Sequence, residues 1–520
     1  MLARCTTATL RGLDALVVDV EVDLAPGLPA LQMVGLADTA IHESRERLRS
    51  ALRNSGLKVP LTRIVVNLAP ADLRKEGPGF DLPIALALLV ASQQVPQAWL
   101  QGLWCAAELG LDGQLRPIRG VLPLAIAARA AGARALLVAA ANRDEAALVQ
   151  DLQVWGATTL VEALTLLNPA QPPLPLPAVA AAAPPEPGDR LDLADIEGQE
   201  HGRRALAIAA AGEHHLLLVG PPGSGKTMLA RRLPGLLPPL NPSEALTVTQ
   251  IQSVAGLLQE QPLLQRQRPF RSPHHSCTAA ALIGGGANPR PGELSLAHHG
   301  VLFLDELAEF PRAVLDLLRQ PLESGEIWIQ RSRLQTRFPC RITLVAATNP
   351  CPCGWHGSSQ RRCSCSAAAQ RHYWGRLSGP LLDRLDLQVV VQQVSAAQLK
   401  QRYLGAPGDK HRQIEVLSSA DVAARVASAR ARMNRRNPDG LSNGALTTHQ
   451  FGGVVNIAPK ALNLWEQALG QGRITARGGE RVMRVAQTIS DLDDQPCIGV
   501  MAIAEAMGYR SYDLIDHRPG

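Results

Sequence analysis

Gly220-Pro221-Pro222-Gly223-Ser224-Gly225-Lys226-Thr227 follows the apolar run Leu216-Leu217-Leu218-Val219 and precedes a helix-compatible segment from Met228 to Leu233. Strand, glycine-rich loop and helix in this order form the context in which the pattern binds phosphate, and it sets an α/β fold. Glycines allow successive backbone N–H groups to turn inward around phosphate oxygens, and the helix N-terminus adds a favourable dipole. Lys226 is spaced to reach β- and γ-phosphates, and the Thr227 hydroxyl to ligate Mg²⁺. The competing reading is a Gly-Pro turn with a chance lysine, and the flanking strand and helix argue against it.

Two further apolar runs end in polar tips. Val301-Leu302-Phe303-Leu304-Asp305-Glu306 reads as a buried parallel strand whose carboxylates point into a ligand crevice. Asp305 would hold the magnesium shell, and Glu306 would orient and deprotonate an attacking water. Leu344-Val345-Ala346-Ala347-Thr348-Asn349 is a second such strand.

The chain has 520 residues, 46% of them hydrophobic, which predicts a globular protein of roughly three domains. A net charge of +6 permits a polyanionic partner without requiring one, and 3% aromatic residues argue against a surface that stacks many bases. No apolar run reaches the ~18 residues needed to span a bilayer. Neither does the sequence start with a secretory pattern. Nine cysteines, four of them between Cys351 and Cys365, read as a metal site in a reducing compartment, so the protein is expected to be soluble and cytoplasmic.

Upstream of the loop, residues 1–168 read as an α/β module. Strands are predicted at 16–22, 64–68 and 135–138, and helices at 39–54, 81–91 and 158–167, with Asp81 as an N-cap. Lys75-Glu76-Gly77-Pro78-Gly79-Phe80-Asp81 resembles the active-site region of Lon-type peptidase domains, which place a nucleophilic serine after the Gly-Pro pair. Gly79 stands there in this chain and has no hydroxyl to attack a carbonyl. The resemblance therefore implies a Lon-like fold without peptidase activity. Residues 169–191 are Pro- and Ala-rich and read as a linker.

Downstream, Arg268-Pro269-Phe270-Arg271-Ser272-Pro273-His274-His275 reads as a structural or DNA-contacting loop, with metal ligation by the histidines as the alternative. Strands at 326–330 and 338–342 flank Arg331, Arg333 and Arg337. They predict a hairpin with arginines near its tip, either gripping DNA phosphates or forming a solvated basic turn. Cys351-Pro352-Cys353 and Cys363-Ser364-Cys365 suit a closed tetrahedral zinc, against reduced or redox-active thiols. Arg361 and Arg362 would make the intervening loop a basic finger facing DNA. Helices are predicted at 418–434, 459–469, 480–492 and 500–507.

The order of these motifs resembles the magnesium-chelatase-like AAA+ proteins of the ComM/YifB family over nearly the whole chain. The motifs that carry the likeness are the phosphate loop, the Arg-Pro-Phe-Arg-Ser-Pro-His-His segment, Phe-Leu-Asp-Glu, Thr-Asn-Pro-Cys-Pro-Cys-Gly and Gly-Pro-Leu-Leu-Asp-Arg-Leu-Asp. The resemblance implies a Lon-like (ribosomal S5 domain 2-like) module at 1–168 and an AAA+ P-loop core at 192–394 carrying the cysteine finger 351–365. A helical C-terminal lid domain at 395–520 completes it. It implies ATP as substrate, Asn349 as γ-phosphate sensor and Arg384 as an arginine finger acting on a neighbouring subunit, the alternative for Arg384 being a network with Asp383 or Asp386. Arg477 is implied as the lid's phosphate sensor, with Arg484 as the alternate. Gly478-Gly479 stands where the family has larger residues, and weakens a helix start by about 1 kcal/mol per glycine. The implied function is that of a homohexameric ATPase acting on single-stranded and branched DNA, promoting branch migration in homologous recombination during natural transformation. A magnesium-chelatase motor subunit and a protein-remodelling ATPase are the competing functions.

Overall fold

The computed structural model describes residues 2–170, 191–258, 264–286, 289–331, 334–358, 361–393 and 417–510. Most of the expected linker, the boundary near residue 394 and Arg333 lie outside the described residues. Arg331 is described in its backbone alone.

The first part of the chain forms a seven-stranded mixed sheet. Its strands are β1 (Ala3–Arg11), β2 (Asp14–Ala25), β3 (Ala30–Val34), β4 (Arg63–Ala69), β5 (Leu103–Ala106), β6 (Ala135–Ala139) and β7 (Val154–Ala157), in the order β3-β4-β2-β1-β5-β6-β7. Period-two alternation puts Val18, Val20 and Val22 of β2 into the core. The longer helices are α1 (Thr39–Asn54), α2 (Asp81–Ala91), α3 (Val121–Ala130) and α4 (Leu160–Leu167). Every residue of α2 is buried against the sheet, which is why its sequence is apolar on all sides.

Asp81 is not an N-cap. It is the first helical residue, buried, and its carboxylate accepts from the Arg47 guanidinium at 2.8 and 3.2 Å and from the Leu109 N–H at 3.1 Å. Removing a carboxylate from water requires such compensation, and a cation from α1 supplies it. Gly79 lies in the one-turn segment Pro78–Phe80 ahead of α2.

The middle part of the chain forms a five-stranded sheet, parallel throughout. It comprises β8 (Leu216–Val219), β9 (Phe270–Arg271), β10 (Val301–Leu304), β13 (Thr343–Thr348) and β14 (Leu387–Val390), in the order β9-β10-β13-β8-β14. Both faces are covered, so the strands read as unbroken apolar runs. Leu216 and Leu218 join one cluster, and Leu217 and Val219 the opposite one. The longer helices of this part are α5 (Glu200–Gly212), α6 (Lys226–Leu236), α7 (Pro242–Ala255) and α8 (Ala367–Gly375).

A hairpin of β11 (Glu326–Arg331) and β12 (Leu334–Pro339) projects from the core. Its second strand begins four residues earlier than the sequence predicts. Arg337 therefore sits opposite Trp328 on the strand, paired with Glu326, and not near the tip. The pairing register follows Ile327, Ile329 and Phe338, which are buried together under the hairpin.

The first module is tied to the core at two places. At one, the Gly120 N–H donates to the Ser253 carbonyl at 3.1 Å, and the Ser253 hydroxyl donates to buried Glu145. At the other, the β1–β2 turn meets the hairpin: Arg11 donates to the Gln335 carbonyl at 3.2 Å and Leu13 packs on the core cluster.

The C-terminal part is helical: α9 (Ser419–Arg436), α10 (Pro459–Gly470), α11 (Ala476–Leu492) and α12 (Val500–Gly508). Val422, Val426, Ala429 and Met433 form the buried stripe of α9, which Ser418 and Asp421 close with a capping box. Helix α11 starts four residues before the predicted position, capped by Thr475, so Gly478 and Gly479 lie inside its first turn. Both are buried. A Cβ on Gly479 would come within 3.1 Å of Leu469 and 3.3 Å of Trp465, and the Trp465 indole donates to the Gly479 carbonyl at 3.0 Å. Close approach of α10 outweighs the intrinsic helix cost of the glycines. No described helix is long and apolar enough to cross a membrane.

Candidate nucleotide site

The phosphate loop leaves β8 at Gly220 and enters α6 at Lys226. Gly223 and Gly225 adopt φ of +73° and +91°, a left-handed backbone that side-chain-bearing residues reach only with strain. These two turns aim the loop amides inward. Flanking glutamines hold it: Gln199 donates to the Ser224 carbonyl and Gln393 to the Pro222 carbonyl, each at 3.2 Å. The Ser224 hydroxyl is buried with no hydrogen-bond partner among the described residues, an orphaned donor that a phosphate oxygen would satisfy.

Lys226 is buried, and its ammonium donates to the Gly220 and Pro221 carbonyls at 2.7 and 2.9 Å and to Asn349 Oδ1 at 3.3 Å. Burial lowers its pKa, and the charges of Asp305 and Glu306 oppose that shift. Its three donors can exchange these oxygens for phosphate oxygens. Thr227 Oγ1 donates to Asp305 Oδ2 at 2.9 Å, while Asp305 Oδ1 accepts the Glu306 N–H at 2.9 Å. A hydroxyl and a carboxylate so close together offer the hard oxygen ligands that Mg²⁺ takes, so the residues fit that ion.

The tips of β8, β10 and β13 thus bring together the loop, Asp305, Glu306 and Asn349, residues far apart in sequence. Glu306 adopts φ +52°, turning its carboxylate off the end of the strand. Its Oε2 lies 3.0 Å from His275 Nδ1. His275 stacks on His274 at 4.0 Å and meets Phe310 edge-on. One ring faces the carboxylate and the other bonds Ser276 at 2.8 Å, and neither histidine joins a group of three or more potential metal ligands among the described residues. His275 is placed to orient Glu306, a contact the sequence does not reveal because the two residues stand far apart along the chain. The legible signal was the dense polar segment following β9. His275→Ala is expected to lower ATP turnover about tenfold by releasing the carboxylate, with KM for ATP little changed. Steady-state kinetics separates the two, and a rise in KM at constant turnover contradicts a positioning role.

Arg384 is largely buried within its own chain. It donates to the Arg319 carbonyl at 2.9 Å and the Pro380 carbonyl at 2.7 Å, and pairs with Glu323. The partner is therefore neither Asp383 nor Asp386. Asp386 belongs to another network, where it accepts from the His215 N–H at 3.2 Å, lies 3.3 Å from His214 Nδ1 and pairs with Arg481 of α11. Although burial pushes its pKa up, Arg481 and His214 hold this carboxyl well below the usual range.

Arg481 also donates to the Arg384 carbonyl at 3.0 Å, and so ties the C-terminal helices to the core beside Arg384. Arg477, one turn earlier, is exposed, and Arg484 bonds Thr448 at 3.2 Å. Neither is brought to the phosphate loop by any described hydrogen bond or ion pair. Of the arginines of α11, Arg481 is the one whose described hydrogen bonds reach the core.

Directly after Asn349, Cys351, Cys353, Cys363 and Cys365 place four sulfurs within 4.8 Å of one another. Arg361 and Arg362 of the intervening loop are exposed, and the Arg361 guanidinium lies 5.2 Å from the Trp355 ring centroid.

Three family descriptions match the chain: subunit ChlI of Mg-chelatase at residues 20–142, magnesium chelatase subunit ChlI at 192–399, and its C-terminal part at 417–510. The chain is 44% identical over 505 residues to competence protein ComM of Haemophilus influenzae, covering 96% of each chain. To the protein YifB of Escherichia coli it is 42% identical over 514 residues, covering 98% of this chain and 97% of that one. A magnesium-chelatase 67 kDa subunit from Heliobacterium mobile is 30% identical over 195 residues, 32% of this chain and 29% of the relative.

Proposed function

Because the chain belongs to the ComM/YifB family of magnesium-chelatase-like AAA+ proteins, a class that implies an ATPase using ATP and Mg²⁺, we propose that it is a DNA motor. In this reading it forms a homohexameric cytoplasmic ring whose ATP hydrolysis drives branch migration during recombination of incoming DNA. The observation that carries the ATPase part is the convergence of Lys226, Thr227, Asp305, Glu306 and Asn349 at the ends of neighbouring parallel strands. The competence name of the Haemophilus relative, matched end to end, supports the DNA part. The partial coverage of the chelatase subunit makes porphyrin metallation the weaker reading.

In the proposed mechanism, the loop amides and Lys226 bind the β- and γ-phosphates, and Asn349 fixes the γ-phosphate from the side of β13. Thr227 and Asp305 would hold Mg²⁺, which when bound would neutralise phosphate charge. Glu306, oriented by His275, takes a proton from the attacking water. Arg384 of one subunit compensates charge in the site of the next. Arg331 and Arg333, together with Arg361 and Arg362, contact DNA phosphates. The Lon-like module, lacking a nucleophile at Gly79, braces the hairpin through Arg11 and Leu13. The four cysteines would hold a structural zinc.

The test is ATP hydrolysis with and without single-stranded, duplex and branched DNA, followed by migration of a labelled junction. Branched DNA is expected to stimulate turnover and ATP to move the junction. Turnover indifferent to every DNA, with no movement, would remove the motor assignment.

A further inference from the structure

The cysteine cluster is built into the nucleotide site and does not stand apart from it. Its first member, Cys351, follows Asn349 by two residues at the exit of β13. Its last member, Cys365, immediately precedes Ser366, the N-cap of α8. Helix α8 in turn grips β13: the Trp374 indole donates to the Pro350 carbonyl at 3.0 Å, and Tyr373 and Thr348 hydroxyls bond at 3.1 Å. The turn between them touches the phosphate loop. Gly354 has φ +82°, and a Cβ placed there would lie 2.7 Å from Pro222 Cδ, with the Asn349 side chain 3.9 Å away.

The sulfurs are arranged for a metal. Cys351 and Cys353, Cys351 and Cys363, and Cys353 and Cys363 are separated by 3.4, 3.7 and 3.6 Å. Tetrahedral zinc with Zn–S bonds of about 2.3 Å sets its sulfurs about 3.8 Å apart. Backbone amides are already turned onto the ligand atoms: the Cys353 N–H donates to Cys365 Sγ at 3.3 Å and the Cys365 N–H to Cys363 Sγ at 3.4 Å. Such outer bonds orient ligands and stabilise thiolate sulfur.

We propose that a thiophilic metal ion, zinc by ligand type and number, bound by Cys351, Cys353, Cys363 and Cys365 clamps the exit of β13 against the phosphate loop, so that nucleotide affinity depends on metal occupancy. This rests on the ATP-site reading above and adds a dependence that reading does not contain. Four metal–sulfur bonds would join the Cys351–Cys353 turn at the exit of β13 to the Cys363–Cys365 segment that leads into α8. Their loss frees Asn349 and the Gly354–Pro222 contact, and with them the geometry around Lys226.

The experiment uses the full chain. Zinc content is measured by mass spectrometry, and ADP affinity by titration, in the protein as purified, after chelation and after zinc is restored. Circular dichroism monitors the fold. Chelation is expected to weaken ADP about tenfold, and added zinc to restore it. Gly354→Ala keeps all four thiols and is expected to retain zinc yet weaken ADP by a similar factor, which separates the mechanical link from loss of the metal fold. Absence of bound metal, an ADP affinity indifferent to chelation, or wild-type affinity in Gly354→Ala overturns the proposal. If the zinc-loaded protein binds no nucleotide at all, the ATPase reading falls with it, whereas firm binding indifferent to metal removes this inference alone.

Discussion

Glu306→Gln is expected to cut ATP turnover by about 10²–10⁴-fold, the usual contribution of a general base, while ATP remains bound. The amide keeps the size and hydrogen-bonding reach of the carboxylate but cannot accept a proton from water. Nothing that cradles the phosphates changes: Lys226 keeps its contacts to the loop and Asn349, and Thr227 its bond to Asp305. Single-turnover hydrolysis and equilibrium ATP binding, measured on the same preparation, test this. Turnover within a few fold of wild type would move the base role away from Glu306. Loss of binding along with turnover would mark Glu306 as part of the phosphate cradle.

Arg384→Ala carries the second large effect. An arginine acting in a neighbouring site contributes about 10³–10⁵ in rate. Within its own subunit Arg384 instead meets Glu323 and the carbonyls of Arg319 and Pro380. The two roles separate by mixing subunits. Glu306→Gln supplies an intact arginine with a dead site, and Arg384→Ala an intact site without its arginine. If Arg384 works across the interface, mixed rings regain activity that neither variant has alone. A purely internal role predicts no recovery in the mixture and a lower melting temperature for Arg384→Ala. Arg481, which donates to the Arg384 carbonyl, places the C-terminal helices where they would register any movement of this arginine.

The site was legible to the extent that it is local. The loop, with its glycines at required left-handed positions, and the apolar strands ending in Asp305 and Asn349 are short-range patterns, set by sterics and burial on both sheet faces. The bounds of α1 and α2 were likewise readable from periodicity. The errors fall where tertiary contact overrides local preference. Asp81 reads as a cap in sequence but is paired with Arg47 inside the helix, and the Gly478-Gly479 pair reads as a weak helix start but lies in the first turn of α11 with α10 packed onto it.

Local sequence therefore settled which segments become strand, loop and helix, because hydrogen-bond geometry and side-chain periodicity act over a few residues. Only the folded chain decided which charged and polar groups face one another. His275 met Glu306, Arg384 met Glu323, Arg481 met Asp386, and Gly354 met Pro222. These pairings join residues separated by tens to more than a hundred positions. Electrostatic and packing energies depend on distance in space, and that distance is set when the sheet orders its strands and not by their order along the chain.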